Sequence, residues 1–366
     1  MVLAYVIYTL LLLLMVFSSK SYVRSRYRSK SIMYLSIIIF SLIVGLRYDV
    51  GVDHLAYINI FEHGNIGNDS IDRMEIIYQY INIILSDLGF HYSVLFTLTT
   101  ALQLILLQKS LKFNKEILPW AYFFYFTTLY LFFALNGLRQ AIAISILVYA
   151  FLFLYQRKVI PYLITVLVAS GFHTSALIML PAYFVAHKDI LKSKLIQYII
   201  YSIFFFFGLT FYDRILLLIS SFAFGRYADF NLDILSNVSF ANEDSLNIAR
   251  FVWFLINLCV ITLNDKLKYK YANCTPFLIF YNLYFVGICL DCIVGGTYFG
   301  RINEYFLNMR IFVYAYIAYY VYSNKKILPK LVTAGFCIFL IIFFYRAISV
   351  GAGKCAPYQF IWSAVS

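Results

Sequence analysis

Residues 2–17 read VLAYVIYTLLLLLMVF, and residues 18–30, SSKSYVRSRYRSK, follow them directly. The first stretch is uninterrupted apolar sequence, and the second carries five basic residues and no acidic one. A cleavable signal peptide would end in a small-residue cleavage site instead. We therefore expect a short first membrane helix that is retained and followed by a positively charged loop.

The composition of the whole chain points the same way. Of its 366 residues, 63% are hydrophobic and 13% are charged, whereas soluble domains have about 45–50% apolar and about 25% charged residues. Aromatic residues make up 20%, and tyrosine suits the boundary between lipid and water. A water-soluble fold is excluded, and an all-α integral membrane protein is predicted.

Apolar stretches recur along the sequence, and a helix needs about 20 residues to cross a bilayer. We expect a single transmembrane domain over residues 1–366, a polytopic bundle of about 12 transmembrane helices. The predicted spans are 2–18, 31–46, 92–108, 117–135, 138–156, 159–172, 174–187, 195–212, 248–263, 275–293, 305–322 and 331–346. Several are short, which favours tilt or re-entrant geometry.

The basic residues predict the orientation of this bundle. If residues 20–30 are cytoplasmic, alternation of the spans gives every later cytoplasmic loop at least two Lys or Arg, as the positive-inside rule requires. Nineteen of the 29 basic residues lie in these loops: Lys20, Arg24, Arg26, Arg28, Lys30, Lys109, Lys112, Lys115, Arg157, Lys158, Lys188, Lys192, Lys194, Lys266, Lys268, Lys270, Lys325, Lys326 and Lys330. Both termini are then extracytoplasmic. The net charge of +12 is a topology signal and needs no nucleic-acid partner.

The remaining basic residues differ in type, because nine of the ten are Arg. The planar guanidinium can grip phosphate or carboxylate with two hydrogen bonds. Surface pairing with acidic residues could explain Arg73, Arg214 and Arg226. It explains Arg139 and Arg310 poorly, since they lie at the end of, or inside, apolar helices, where charge is costly and usually functional.

Two extracytoplasmic loops are long, residues 47–91 and 213–247. In the first, Glu75, Gln79, Asn82 and Ser86 share one face of a helix predicted over residues 74–90. This pattern indicates an amphipathic helix that lies on the membrane or packs across the bundle, since a thirteenth crossing would break the charge alternation downstream. The second loop could be a lid, a platform for a substrate chain or a plain connector.

Four short motifs place polar residues at the extracytoplasmic ends of the predicted helices. They are RYDVGVD (47–53), NGLRQ (136–140), GFHTS (171–175) and GRINEYF (300–306). Asn136 can cap the helix whose first turn carries Arg139, and a helix N-terminus attracts anions. Taken singly, His173 and Asp53 would more often be structural, but all four motifs fall on one membrane face.

That face suggests chemistry on a lipid-linked phosphate. Two or three Arg side chains would hold a pyrophosphate and stabilise its charge as it leaves. A carboxylate or a histidine would take the proton of an attacking hydroxyl. The sequence has no paired acidic motif or histidine cluster of the metal-binding kind, so we expect neither a metal nor a cofactor.

In this order, GLRYDVGVDHLAY (45–57), NGLRQAIA (136–143), GFHTSALI (171–178) and GRINEYF (300–306) resemble the EpsG/Wzy-type family of polysaccharide polymerases in bacterial membranes. The resemblance covers most of the chain. It implies a GT-C-like glycosyltransferase of the bacterial inner membrane, acting on the extracytoplasmic face in lipopolysaccharide, capsule or exopolysaccharide biosynthesis. Such enzymes move a growing glycan from undecaprenyl pyrophosphate onto a repeat unit carried on the same lipid. A chain-length regulator would be a further partner.

The resemblance also implies site residues, the positions that match the family's motifs, and the roles given to them here are our own assignment. Catalytic roles fall to Arg139 and Arg301, which would grip the donor pyrophosphate, and to Asp53 or His173, either of which would be the base. Substrate binding falls to Arg47, Asp49, Gln140 and Tyr305, although Asp49 could equally be a structural partner of Arg47. Two alternatives stay open, a flippase or transporter of lipid-linked oligosaccharide and an O-antigen ligase.

Overall fold

A computed structural model describes residues 1–66, 69–70, 74–189, 191–221, 243–271, 276–295 and 300–364. Within these ranges the regular structure is helical apart from one antiparallel pair of two-residue strands, β1 (Asn65–Ile66) and β2 (Asp69–Ser70), and an isolated bridge between Arg47 and Phe360. The first half contains α1 (Val2–Arg24), α2 (Lys30–Gly45), α3 (His54–His63), α4 (Ile76–Asp87), α5 (Tyr92–Ser110), α6 (Leu118–Thr127), α7 (Tyr130–Asn136), α8 (Leu138–Tyr155), α9 (Val159–Ser170) and α10 (Ala182–Val185).

The second half contains α11 (Lys194–Ser221), α12 (Glu243–Tyr271), α13 (Phe277–Val294), α14 (Gly300–Leu307), α15 (Arg310–Tyr322) and α16 (Ile327–Ser349). Short 3-10 helices occupy Lys115–Ile117, Thr174–Met179, Ala352–Lys354 and Ile361–Ala364. Since α11 continues to Ser221, the predicted loop 213–247 does not begin at residue 213. Residues 222–242 of that loop lie outside the described residues.

The helices group into two compact units. The first comprises Met1–Tyr183 and Tyr314–Ser366, and the second comprises Phe184–Val313. This grouping subdivides the single transmembrane domain predicted over residues 1–366, which stays a prediction.

Among the residues that the structure describes, five helices are long and apolar enough to cross a membrane: Val2–Arg24, Leu138–Tyr155, Lys194–Phe211, Phe277–Val294 and Ile327–Ser349. A bent pair, Lys115–Thr127 with Tyr130–Asn136, would add a sixth. The helical membrane class is therefore confirmed, but the predicted count of about 12 is not. Apolar helices at Lys30–Gly45, Val159–Ser170 and Thr174–Val185 are shorter than a full crossing.

Local backbone geometry explains two of these differences. The predicted span 117–135 is broken at Leu129, whose φ of 64° is left-handed, and the two pieces meet at 62°. The predicted span 174–187 is a six-residue 3-10 helix followed by the single turn of α10. It runs back along α9, where the hydroxyl of Tyr162 donates to the carbonyl of Met179.

In the first unit, α8 is the central helix, and most of its side chains are buried. At one end of the unit, the loops after α1, α5 and α8 meet. There Tyr27 donates to Glu116 at 2.8 Å, and the Phe113 and Tyr155 rings lie 5.2 Å apart. These loops carry the predicted cytoplasmic basic residues, so three of them share one end as alternation requires.

The opposite end of the first unit is called here the motif end, and it holds residues 45–53, 136–140 and 171–175. Both chain termini also approach this end. The hydroxyl of Tyr8 donates to the carbonyl of Cys355 at 2.6 Å, and Thr9 and Tyr345 are hydrogen-bonded at 2.7 Å. Three of the four motifs therefore share one end of one unit.

The second unit is a packed group of long helices. A Cβ added at Gly208 of α11 would lie 2.0 Å from the Cys292 carbonyl oxygen of α13, so these helices touch backbone to backbone. Asn257 of α12 donates to the Tyr201 hydroxyl of α11 at 2.7 Å and accepts from Tyr284 of α13. Small residues and shared amides are typical glue between helices in membranes.

Candidate active site

The motif end of the first unit contains a direct ion pair between Arg139 and Glu75. Arg139 lies in the first turn of α8, where Gly137 is the N-cap residue. Glu75 is the N-cap residue of α4, but its carboxylate makes no bond to its own helix. It reaches Arg139 instead, and both side chains are three-quarters buried or more. The predicted anion-binding position at Arg139, called here the anion seat, is thus occupied by a carboxylate of the protein itself.

The third motif contacts the same carboxylate. The Thr174 amide donates to Glu75 Oε1 at 3.2 Å, and the Thr174 hydroxyl lies 3.5 Å from that oxygen. His173 Nδ1 is 3.6 Å from Glu75 Oε1 and 3.0 Å from the Ser175 hydroxyl. The structure therefore brings Arg139 and His173 together through Glu75.

A glycine allows this approach. The Gly171 carbonyl accepts hydrogen bonds from the amides of Ile77 at 2.9 Å and Tyr78 at 3.2 Å, which docks the first turn of α4. A Cβ on Gly171 would lie 2.5 Å from the Ile77 side chain. A larger residue at position 171 would therefore collide with Ile77 in the first turn of α4, the helix that Glu75 precedes.

Two buried phenols complete the surroundings of Arg139. The Tyr78 ring lies 5.9 Å from the guanidinium carbon, and Tyr57 lies 6.1 Å from Tyr78, beside the same guanidinium. Burial raises the pKa of both hydroxyls, although Arg139 opposes the shift. The phenols therefore stay protonated and can donate hydrogen bonds. Asp53, the N-cap residue of α3, lies within electrostatic reach of Tyr57.

The helix that supplies Glu75 packs with its polar face inward. The structure contains the predicted amphipathic helix as α4, and it buries Asn82 and Tyr78. The side chains of Ile76, Tyr80 and Ile84 are more than half exposed. α4 therefore has an exposed apolar face of the kind that can lie against lipid on one side and the Arg139 cluster on the other.

Arg47 occupies a different environment at the same end. It is completely buried, and its guanidinium donates to the carbonyls of Val44 at 2.8 Å, Val50 at 3.1 Å and Leu135 at 3.2 Å. It also lies over the Phe96 ring at 4.7 Å. These contacts are all within the protein and are sufficient to explain a structural role, while the predicted role of Arg47 in substrate binding stays a prediction.

Two more motif residues make contacts that the sequence did not suggest. Asp49 could have been a structural partner of Arg47, but its carboxylate oxygen Oδ1 lies 2.7 Å from Lys354 Nζ. Asn136, expected to cap α8, instead ends α7, and its side-chain oxygen accepts from the Val52 amide. The predicted cap is therefore wrong. The side-chain amide of Asn136 instead connects the second motif to the first through its hydrogen bond with Val52. Gln140 is buried in α8.

The fourth motif belongs to the second unit. Arg301 is exposed in the first turn of α14, and Tyr305 of the same helix is buried. The Asn303 side chain donates to the Gly287 carbonyl at 3.0 Å. A Cβ on Gly287 would lie 2.6 Å from the Leu307 amide nitrogen, so α14 packs tightly on α13.

Among the residues around Arg139 that the sequence did not predict for the site, which also include Tyr57 and Tyr78, the central one is Glu75. Its signal was present, because it heads the polar face formed with Gln79, Asn82 and Ser86. That pattern predicted a helix but not the partner of its first residue.

The sequence model of the EpsG family matches residues 30–360. No curated protein and no solved structure matches the chain. The matched region covers α2 to the C-terminal segment and includes all four motifs, so the chain belongs to the EpsG family.

Proposed function

We propose that this protein is a polysaccharide polymerase, a glycosyltransferase that moves a growing glycan from undecaprenyl pyrophosphate onto a lipid-linked repeat unit. The observation that carries the proposal is the partly buried cluster of Arg139, Glu75 and His173 at the motif end of a helical unit. Charge at the end of an apolar helix is costly and usually functional. Membership of the EpsG family supports a role of this kind.

The reaction needs two functions from the protein, stabilisation of the leaving group and removal of the acceptor proton. The acceptor hydroxyl oxygen forms a bond to the anomeric carbon of the donor glycan while the bond from that carbon to the pyrophosphate oxygen breaks. The electron pair leaves with the pyrophosphate, and its charge is held by Arg139 and, in our proposal, by Arg301 of the second unit.

The acceptor proton goes to His173 or to Asp53. A carboxylate 3.6 Å from His173 Nδ1 stabilises the imidazolium that forms when the ring takes a proton, which favours His173. His173→Gln should then lower chain growth about 100-fold and shift its pH profile, whereas Asp53→Asn should leave the profile in place. The reverse pattern would assign the base to Asp53.

The proposed orientation follows from the positive-inside rule. The basic loops at one end of the first unit face the cytoplasm, so the motif end and both termini face outward. The bacterial inner membrane supplies the donor, and a chain-length regulator is a further partner. Arginine replaces a metal ion in holding the leaving group, so chain growth should persist in a chelator.

The test uses purified full-length protein in detergent with undecaprenyl-pyrophosphate-linked repeat units and no other protein. Longer lipid-linked chains, seen as a ladder of added repeats, support the polymerase. Unchanged donor, combined with its transport across proteoliposomes, would replace this proposal with a flippase. Chain growth that requires added divalent cation after chelation would overturn the metal-independent mechanism.

A further inference from the structure

The Arg139 site is already occupied by the protein's own carboxylate. Glu75 pairs with the guanidinium that, in the proposed function on which this inference rests, holds the donor pyrophosphate. A pyrophosphate arriving there carries the same sign of charge as Glu75. Both anions cannot share one partly buried guanidinium without strong repulsion.

We propose that Glu75 is an internal stand-in for the pyrophosphate, and that the lipid-linked donor enters by displacing this carboxylate from Arg139. The exchange makes Arg139 accessible only to a ligand that can outcompete a tethered anion. The empty site therefore carries no uncompensated buried cation, which would otherwise be costly.

The displaced carboxylate already has a second set of partners. Thr174 donates its amide to Glu75 Oε1 at 3.2 Å, with its hydroxyl at 3.5 Å, and His173 Nδ1 lies 3.6 Å away. A rotation that releases Arg139 from the other oxygen can keep these contacts. The carboxylate then lies closer to His173, which supports a protonated imidazole when the acceptor loses its proton.

The position of α4 gives the donor a route to this exchange. Ile76, Tyr80 and Ile84 are exposed on the apolar face of α4, while Glu75 precedes its first turn beside Arg139. A donor whose isoprenoid tail stays in lipid would run along this face and bring its pyrophosphate to the helix N-terminus.

The test measures affinity for undecaprenyl pyrophosphate by the ligand-induced rise in melting temperature of the full-length protein in detergent. Glu75→Gln removes the competing charge, so we expect it to bind this probe at least tenfold more tightly than the wild type. A purely structural role predicts the opposite, weaker binding. Asp87→Asn, a charge loss at the exposed far end of α4, is the matched control and should bind like the wild type.

Three results would overturn the exchange. They are unchanged or weaker binding by Glu75→Gln, an equal gain in Asp87→Asn, and a gain that survives in the Glu75→Gln, Arg139→Gln double variant. If Glu75→Gln does not fold, Glu75→Asp, which shortens the reach to Arg139, must show a smaller gain of the same sign. Binding is measured without turnover and is therefore independent of chain growth. A wild type that fails to extend chains would refute the polymerase, but the binding comparison would still test the exchange.

Discussion

Arg47 and Arg139 lie at the same end of the first unit, in motifs of similar length, and their surroundings are opposite. Arg47 donates to three backbone carbonyls and is sealed from solvent. Arg139 faces a carboxylate from a helix with an exposed apolar face, and a quarter of its side chain is accessible. A buried arginine whose donors end on backbone holds the fold, whereas one balanced by a displaceable side chain can serve a ligand.

The largest effect on stability should come from removing the Arg47 side chain. Arg47→Ala leaves three buried carbonyl oxygens without their charged donor, so we expect the free energy of unfolding to fall by about 4 kcal/mol. Melting temperature and yield of folded protein in detergent would show it, with Arg47→Lys intermediate. Wild-type melting in Arg47→Ala would remove the distinction between the two arginines.

Arg139→Ala should instead spare the fold and remove the activity. Loss of a donor that stabilises a leaving anion typically costs about 100- to 1000-fold in rate, and chain growth should fall by that factor. The measurement is the rate of repeat addition at a melting temperature close to the wild-type value. Arg139→Lys keeps the charge but loses the planar fork, so its rate should lie between the two. Near-normal polymer from Arg139→Ala would refute the anion seat.

The third prediction concerns the pH dependence of folding stability, which should depend on His54 in the Arg47 region. It is completely buried and stacks on Phe96 at 4.8 Å, and burial, with a smaller effect of Arg47, lowers its pKa from 6.5 to about 3. Below pH 6.5 the unfolded chain binds a proton that the folded protein refuses. Stability is therefore complete above pH 6.5 and is lost as the pH falls from 6.5 towards 3.

Between pH 7 and pH 5 this loss should amount to about 2 kcal/mol. Unfolding measured across that range in His54→Phe should show a flatter profile than the wild type. His63→Gln, at an exposed position in the same helix, should keep the wild-type slope. Equal slopes in the wild type and His54→Phe would show that another group governs acid sensitivity.

The smallest effect tests the spacing between α4 and α8. In Gly171→Ala, the new methyl group collides with Ile77, so Glu75 moves relative to Arg139 and chain growth should fall about tenfold, by the geometric sensitivity of positioned groups. Ile77→Ala in the same chain makes room and should restore most of the rate. A double variant as slow as Gly171→Ala would place the defect elsewhere.

Composition and charge predicted the helical membrane class, and loop charge grouped the motifs that share one end of the first unit. Periodicity also located α4 to within a few residues of its observed ends. These features depend on local sequence, where hydropathy and charge act directly. The predicted count of about 12 crossings is not confirmed, and two of the predicted spans are irregular because the left-handed Leu129 and the 3-10 turns after His173 interrupt runs that look continuous in hydropathy.

The candidate site depends on contacts between residues that are distant in the sequence. Arg47 and Arg139 occupy similar motifs. Only tertiary contacts reveal that Arg47 donates to the Leu135 carbonyl while Arg139 pairs with the Glu75 carboxylate. Glu75 lies 64 residues before Arg139, so no spacing rule links them. The two-arginine grip with Arg301 remains a prediction.

The length of α9 has a consequence for the surrounding lipid. Its twelve residues span about 18 Å, whereas the hydrocarbon layer is about 30 Å thick. Ile160, Ile164 and Leu167 nevertheless lie on its outside, more than half exposed. Thinning of the bilayer is one way to relieve such a hydrophobic mismatch. In the function proposed above, thinning would draw carrier headgroups deeper beside the motif end and shorten the distance a sugar must descend.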